Sequence, residues 1–223
     1  MFSHFIIFEI LFVSRLDSSI APQETACTDV QVGFCVIQIA SFQVVKQQYL
    51  WYSISMKNQA FIDGQNLYLS TTNAKTPWRV DLYRFRVYLK EKYNVEKAYY
   101  FIGAVDDDRD KLYRTIQEAG FILMFREHNN TMKGKKKGNV DTDIVFTVME
   151  KIAEQEAFDK VVLVSGDGDY IKMVKYLIKK DRLEKVIAPN QKSISSLYKI
   201  TIDNRFYTFL DDENTKRKIE TKG

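Results

Sequence analysis

Short apolar runs alternate with longer stretches of helical periodicity along residues 60–210. Short apolar runs bounded by polar residues are typical of buried parallel strands. Such runs predict strands over residues 60–63, 97–102, 121–125, 161–165, 185–188 and 206–210. Helical spacing of apolar residues predicts helices over residues 76–93, 108–119, 140–154 and 170–180, with a shorter one near Ser195. This alternation predicts an α/β protein with a mainly parallel sheet and helices on both faces.

Local signals predict the ends of two helices. Thr76 and Pro77 are the residue types preferred at an N-cap and at the first helical position, so we expect a helix to begin there. Residues 64–75 are then a polar connection. In the next helix Leu112 is expected on the buried face, and Gly120 is expected to end the helix.

The first 55 residues lack this patterning. Their apolar start has no basic n-region and is interrupted by Glu9, so it resembles neither an export signal nor a membrane span of about 20 residues. We expect the natural chain to start at Met56, and an export or lipoprotein signal ending near Cys27 is the alternative. The expected organisation is an over-extended or weakly folded extension over residues 1–55, one domain over residues 56–210, and a charged, frayed tail over residues 211–223.

Charge adds an argument about partners. The chain has 223 residues and a net charge of +4, and residues 1–55 are slightly acidic, so the remainder is distinctly basic. A basic body with clustered aspartates indicates a polyanionic partner, with ordinary surface charge as the open alternative. The cysteines, Cys27 and Cys35, have no histidine near enough to complete a zinc site, and the histidines, His4 and His128, belong to no Ser-His-Asp set.

Five aspartates stand where parallel strands end or helices begin. Asp63 ends the first predicted strand, Asp167 and Asp169 follow the fourth, and Asp141 and Asp143 open the helix before it. Open α/β sheets bind ligands at this carboxyl edge. Two carboxylates about 5 Å apart repel by roughly 3 kcal/mol at an effective dielectric constant near 20, so a shared crevice requires a cation or raised pKa values. An oxygen-only set favours Mg²⁺ or Mn²⁺, although each aspartate taken alone is equally consistent with a helix N-cap.

Three segments in this order resemble the motifs of NYN domains, the branch of the PIN-like nucleases that includes LabA-like proteins. They are FIDGQNLY, GNVDTDIVFTVME and VVLVSGDGDYIKMVKYL, and the resemblance covers about residues 58–190. It implies a Rossmann-like (PIN-like) three-layer α/β/α fold with a mainly parallel sheet. It also implies an acidic pocket that binds Mg²⁺ or Mn²⁺, and ribonuclease activity.

The resemblance also implies roles for individual residues. The catalytic acids are Asp63, Asp141, Asp167 and Asp169, and the metal ligands are Asp63, Asp141, Asp143 and Asp167. Asn66 orients ligands beside Asp63. Positions two apart on a helix point about 200° apart, so Asp141 and Asp143 share one ion only if the first turn is irregular. The basic residue of the family's middle motif is met by Lys137, which is shifted by Gly138 and Asn139.

The implied reaction is metal-assisted hydrolysis of a phosphodiester in RNA, either single-stranded or structured. A lysine-rich loop beside the acids is expected to hold phosphates, with a solvated loop as the alternative; its lysines are Lys133, Lys135, Lys136 and Lys137. Tyr68, Trp78 and Phe125 are candidates for stacking on unpaired bases, with core packing favoured for Phe125. We expect a cytoplasmic protein without membrane association, and a homo-oligomer is left open.

Two other functions remain as alternatives. An RNA-binding or regulatory module would keep the acids without turnover. A phosphatase of the haloacid dehalogenase type needs a second aspartate two residues after the first, and Gln65 occupies that position after Asp63. The phosphatase is therefore disfavoured.

Overall fold

The computed structural model describes residues 57–103, 107–126 and 140–221. Its strands are β1 (Asn58–Asp63), β2 (Val95–Ile102), β3 (Ile122–Phe125), β4 (Val161–Val164), β5 (Leu183–Ala188) and β6 (Tyr207–Phe209). Its helices are α1 (Gly64–Thr72), α2 (Leu82–Tyr93), α3 (Asp110–Glu118), α4 (Val140–Ala153), α5 (Ile171–Lys179), α6 (Ser196–Thr201) and α7 (Glu213–Ile219). The expectations for residues 1–55 and for the lysine-rich loop lie outside the described residues.

The six strands form one parallel sheet in the order β3-β2-β1-β4-β5-β6. The predicted α/β class with a parallel sheet is confirmed. In register, Asp63 lies opposite Phe101 of β2, and Ile62 lies opposite Val164 of β4. The strand order reverses between β1 and β4, and in sheets of this kind the crevice for a ligand opens at that point, beyond the carboxyl ends of the strands.

Successive residues of each strand point to opposite faces of the sheet, and they contribute to two apolar clusters, one on each face. Ala60 and Ile62 belong to the first cluster and Phe61 to the second, and all three are fully buried. The first cluster packs the sheet against α1, α2, α3 and α7, through Leu67, Phe85, Ile116 and Ile219. The second packs it against α4, α5 and α6, through Ile144, Val174 and Tyr198. The described part of the chain, from residue 57 onward, therefore has three layers, with a covered sheet in the middle.

The expectation of a polar connection over residues 64–75 is wrong, because α1 begins directly after β1. Asp63 is its N-cap and accepts a hydrogen bond from the Asn66 backbone N–H at 2.9 Å. Leu67 is buried against the sheet. At Gly64 a Cβ atom would overlap the Tyr100 ring and lie 2.7 Å from the Phe101 carbonyl oxygen, so only glycine allows so tight a strand-to-helix turn.

The helix predicted to begin at Thr76 and Pro77 begins at Leu82 instead. Asp81 is the N-cap, and its side chain accepts from the Arg84 N–H at 3.1 Å. The Asp81 N–H is bonded to the Ile219 carbonyl at 2.7 Å, which holds the preceding residues extended beside α7. A long-range contact therefore overrides the local proline signal.

The buried face of α3 includes Ile116 and Ala119, as the apolar spacing predicts, but the expectation for Leu112 is wrong. Leu112 is 42% exposed, and Tyr113 is buried in its place. The Tyr113 ring packs edge-on against Phe125 at a centroid distance of 5.0 Å, so the end of β3 selects which side of the helix turns inward. Gly120 ends the helix with a φ of +88°, as predicted.

The expectation of a frayed tail is also wrong for the residues described up to 221. Helix α7 buries Ile219 completely, and Lys216 lies over the Trp78 ring at 5.4 Å from its centroid. The Thr221 N–H donates to the Arg79 carbonyl at 2.9 Å. Ile219, the contact of Lys216 and the backbone bond of Thr221 together hold this helix against the folded domain. Among the described helices, none has the length and apolar character needed to cross a membrane.

Candidate functional site

The site begins at the end of β1, where Asp63 is 4% exposed. One of its oxygens, Oδ1, accepts from the Asn66 N–H at 2.9 Å, and the other, Oδ2, is 3.1 Å from the Tyr170 hydroxyl. The same geometry that caps α1 therefore holds a carboxylate at the carboxyl edge of the central strand. Both of its oxygens are engaged within the protein.

The loop after β4 forms the opposite wall. The Asn66 side-chain oxygen accepts from the Gly166 N–H at 3.0 Å, which ties this loop to the end of β1. Asn66, expected to orient ligands, therefore joins the two strand ends. The Asp167 N–H donates to the Ser165 hydroxyl at 3.1 Å, and Asp167 Oδ1 accepts from the Asp169 N–H at 3.0 Å. These bonds fix the direction of the Asp167 carboxylate.

Three carboxylates converge in front of this loop. One oxygen each of Asp141, Asp167 and Asp169 lies within 4.8 Å of the others. Asp141 comes from the first turn of α4, and the other two come from the loop and 3-10 turn after β4. Asp63 and Asp143, both predicted as metal ligands, are not members of this cluster. For Asp143 the reason is local. The first turn of α4 is helical, so residues two apart diverge as helix geometry requires.

Tyr170, which sequence reasoning missed, connects Asp63 to this cluster. Its side chain is fully buried, and its hydroxyl lies 3.1 Å from Asp63 Oδ2 and 2.5 Å from Asp141 Oδ1. The only sequence signal was its position directly after Asp169 in the SGDGDY segment. An aromatic residue opening a helix is usually core, and only the fold shows where its hydroxyl points.

The electrostatics of the site follow from burial. Burial raises the pKa of Asp63, and the charges of Asp141 and Asp167 raise it further; the hydrogen bonds from Asn66 and Tyr170 oppose this rise. Burial, together with the neighbouring carboxylates of Asp63 and Asp141, raises the pKa of Tyr170 well above its usual range. The Tyr170 hydroxyl therefore keeps its hydrogen at physiological pH and acts as a donor.

The cluster of Asp141, Asp167 and Asp169 has the chemistry of a site for a hard divalent cation. All its donors are carboxylate oxygens, which suit Mg²⁺ or Mn²⁺. Among three ligands of one octahedral Mg²⁺, at least two pairs are adjacent, with oxygens about 3 Å apart, because each bond is about 2.1 Å. The oxygens of this cluster lie within 4.8 Å of one another, so binding one ion requires the side chains to close by up to about 2 Å. Without a cation, two such charges repel by about 3 kcal/mol at an effective dielectric constant near 20.

The candidates for contacting RNA fall in different places. Trp78 is buried beneath Lys216, so the stacking role considered for it is wrong. Tyr68 is 57% exposed on α1, two residues after Asn66. Phe125 contacts Tyr113 edge-on but is 39% exposed, so it does not occupy the core position favoured for it. The four lysines of the loop and His128 lie outside the described residues.

Comparisons with known proteins agree with this architecture. The family described as NYN domain matches residues 59–209. The low amplitude and bright protein LabA of Synechococcus elongatus is 27% identical over 126 residues, which are 52% of this chain and 65% of that protein. The chain thus spans less than two thirds of the length of this relative.

A solved structure shares the fold. It is the crystal structure of a protein of unknown function from Vibrio parahaemolyticus, with a TM-score of 0.57 and 23% identity. The match covers 74% of this chain and 96% of the other. At this identity the likeness concerns the fold alone.

Proposed function

The chain belongs to the NYN domain family, and from that premise we propose that it is a metal-dependent nuclease that hydrolyses phosphodiester bonds of RNA. The observation that carries the proposal is the convergence of Asp141, Asp167 and Asp169 at the point where the strand order reverses. A binding site for a neutral ligand has no need of three carboxylates that repel one another.

Each acid has a distinct part in this proposal. Asp141, Asp167 and Asp169 bind Mg²⁺ or Mn²⁺, and Asp63 adds negative charge behind them. The bound ion supplies Lewis-acid activation of water and neutralises the charge that develops on the phosphate oxygens. The backbone N–H of Asp169 and the Ser165 hydroxyl hold Asp167 in place, so the site is organised before any substrate arrives.

The RNA is held by groups around the acids. The exposed ring of Tyr68 stacks on an unpaired base, which favours single-stranded substrates or loops. The loop between β3 and α4 supplies positive charge for the backbone phosphates, through Lys133, Lys135, Lys136 and Lys137. Neither group reads a base edge, so we expect little sequence specificity.

The test compares cleavage and binding in wild type and Asp167→Asn. Labelled single-stranded and structured RNAs are incubated with Mg²⁺, with Mn²⁺ and with EDTA, and affinity is measured at matched salt in EDTA. Asp167→Asn keeps the shape of the side chain but removes a ligand charge. Cleavage should fall by two or more orders of magnitude, which corresponds to about 3 kcal/mol or more in the barrier. RNA affinity should persist or rise, because negative charge leaves the site.

The matched control is Asp181→Asn. Asp181 is an exposed aspartate with a φ of +52°, a conformation that asparagine adopts readily, and it pairs with Lys160 rather than with the cluster. Its cleavage rate should equal that of wild type. If wild type binds RNA but cuts none of the RNAs with either metal, the proposal of a nuclease is refuted in favour of an RNA-binding module without turnover.

A further inference from the structure

The acids of the site are held in two different ways. Asp63 and Asp167 each accept a hydrogen bond from a nearby backbone N–H, that of Asn66 and that of Asp169. These bonds belong to turns that the chain forms in any case. The Asp141 side chain instead accepts a hydrogen bond from the side chain of another element, through the Tyr170 hydroxyl at 2.5 Å.

Tyr170 is placed rigidly enough to determine where Asp141 lies. It ends the 3-10 turn Gly168–Tyr170, which continues directly into α5, and its ring is fully buried in the cluster that contains Phe61 and Tyr99. Its hydroxyl also lies 3.1 Å from Asp63, whose position is fixed by the cap of α1. The hydroxyl oxygen is therefore a fixed point between the end of β1 and the start of α4.

We propose that Tyr170 is a positioning residue for the metal-binding cluster: its hydroxyl holds the Asp141 carboxylate in the place where it joins Asp167 and Asp169. This inference rests on the proposed function, since it concerns the affinity of the same site for its metal. Tyr170 touches neither metal nor RNA in this arrangement and acts only through Asp141. In other metal sites, groups that do not touch the ion likewise orient its ligands through hydrogen bonds.

The hydroxyl serves a second purpose in the same contact. Asp63 and Asp141 both lie beside Tyr170, whose hydroxyl has a single hydrogen; the shorter contact, at 2.5 Å, assigns that hydrogen to Asp141, and the hydroxyl oxygen lies 3.1 Å from Asp63 Oδ2, between the two carboxylates. Asp141 can therefore stay in its place before metal binds. Without the hydroxyl, the Asp141 carboxylate is free to turn away from the buried Asp63 towards solvent. The metal would then have to draw it back, which lowers affinity.

The experiment measures Mn²⁺ binding to the full chain by titration calorimetry, with free Mn²⁺ followed by electron paramagnetic resonance. Tyr170→Phe removes the hydroxyl and leaves the ring. Tyr93→Phe is the matched control, because Tyr93 is also a buried tyrosine, but it lies in the cluster on the other face of the sheet, with its hydroxyl 3.4 Å from that of Tyr88. Near-ultraviolet circular dichroism in EDTA establishes that each variant is folded.

We expect the dissociation constant for Mn²⁺ to rise about 10- to 100-fold in Tyr170→Phe, the usual effect of removing a group that orients a ligand, and to stay unchanged in Tyr93→Phe. The Mn²⁺ concentration for half-maximal RNA cleavage should rise by the same factor, while the rate at saturating Mn²⁺ changes much less. A purely structural role would lower stability in both variants and leave Mn²⁺ affinity equal to that of wild type.

Two results overturn the inference and are distinguishable from each other. If wild type binds Mn²⁺ and folded Tyr170→Phe binds it equally tightly, Tyr170 does not position Asp141 for the metal, and the proposed function stands. If wild type itself binds no Mn²⁺, both the inference and the metal-dependent nuclease fail together.

Discussion

Replacing Asp63 by asparagine should stabilise the metal-free protein at neutral pH. Asp63 is almost completely buried. The Tyr170 hydroxyl oxygen lies 3.1 Å from Asp63 Oδ2 and 2.5 Å from Asp141 Oδ1, so these two carboxylate oxygens are at most about 5.6 Å apart. At that separation two unit charges repel by about 3 kcal/mol at an effective dielectric constant near 20. The hydrogen bonds from Asn66 and Tyr170 favour the charged form and offset part of this repulsion. We therefore expect a net gain of about 1 to 2 kcal/mol in the free energy of unfolding.

The hydrogen bonds of the site also favour the substitution Asp63→Asn. The introduced carboxamide oxygen can accept from the Asn66 N–H, and the carboxamide N–H can donate to the Tyr170 oxygen. The hydroxyl continues to donate its single hydrogen to Asp141. The Asn66 N–H and the Tyr170 hydroxyl therefore both keep a partner at residue 63 after the carboxylate is lost.

The effect has a defined pH dependence. The pKa of Asp63 is raised in the folded state, so its contribution to stability is fully present below the unfolded pKa and is lost as the pH rises through the folded pKa. The difference between Asp63→Asn and wild type should therefore be small near pH 4 and should grow towards neutral pH. Urea unfolding in EDTA across this range measures it. For a domain of this size, 1 kcal/mol corresponds to a shift of about 2 to 4 °C in Tm.

Metal should reduce this advantage. Mn²⁺ stabilises a protein more the more tightly it binds, and Asp63→Asn removes a negative charge behind the three ligands, so wild type should gain more than Asp63→Asn. The control, Asp181→Asn, removes an exposed carboxylate and should change stability by no more than about 0.5 kcal/mol at any pH. The reasoning is refuted if Asp63→Asn is less stable than wild type at neutral pH in EDTA, or if its advantage is the same at every pH.

Three further predictions concern other parts of the chain. Gly64→Ala should destabilise the protein by about 2 kcal/mol or more in thermal melts, because the added Cβ overlaps Tyr100 and the Phe101 carbonyl; an unchanged Tm would show that the turn after β1 can relax. Replacing the four loop lysines by glutamine should weaken RNA binding. It should also flatten the plot of log affinity against log salt concentration, by about 0.7 in slope for each phosphate that a lysine no longer binds. A slope equal to that of wild type would mean that the loop is solvated and binds no phosphate. A chain shortened to residues 56–223 should melt at the temperature of the full chain, and a Tm lower by many degrees would contradict the proposed boundary.

The strands were predictable because their information is local. The apolar runs around Phe61, Leu163 and Ile187 fill a covered sheet, and no other arrangement buries such runs so well. The order of strands and helices then implied a parallel sheet, since crossover connections join parallel strands. The positions of the aspartates at the carboxyl edge followed from the same pattern, whereas the family resemblance rested on the three motif segments.

The errors at helix ends have long-range causes. Thr76 and Pro77 carry a valid local signal for a helix start, but the backbone bond between Asp81 and Ile219 joins residues far apart in sequence. Helix α7 looked like a solvated tail because a single Ile219 in a charged run has little weight in a periodicity argument. Its burial depends on a surface that α2 provides only in the folded protein.

The amino-acid sequence by itself determined the fold class, the family and the edge of the sheet where the acids gather, because each depends on motifs and on periodicity along the chain. Only the tertiary structure decided which acids meet. Asp169 joins Asp141 and Asp167 within 4.8 Å because the start of α4 and the loop after β4 meet in space, which sequence spacing does not specify, whereas Asp63 and Asp143 are not members of the cluster. Tyr170 is the clearest case: its hydroxyl reaches both Asp63 and Asp141, and hydrogen bonding acts over about 3 Å in space whatever the separation in sequence.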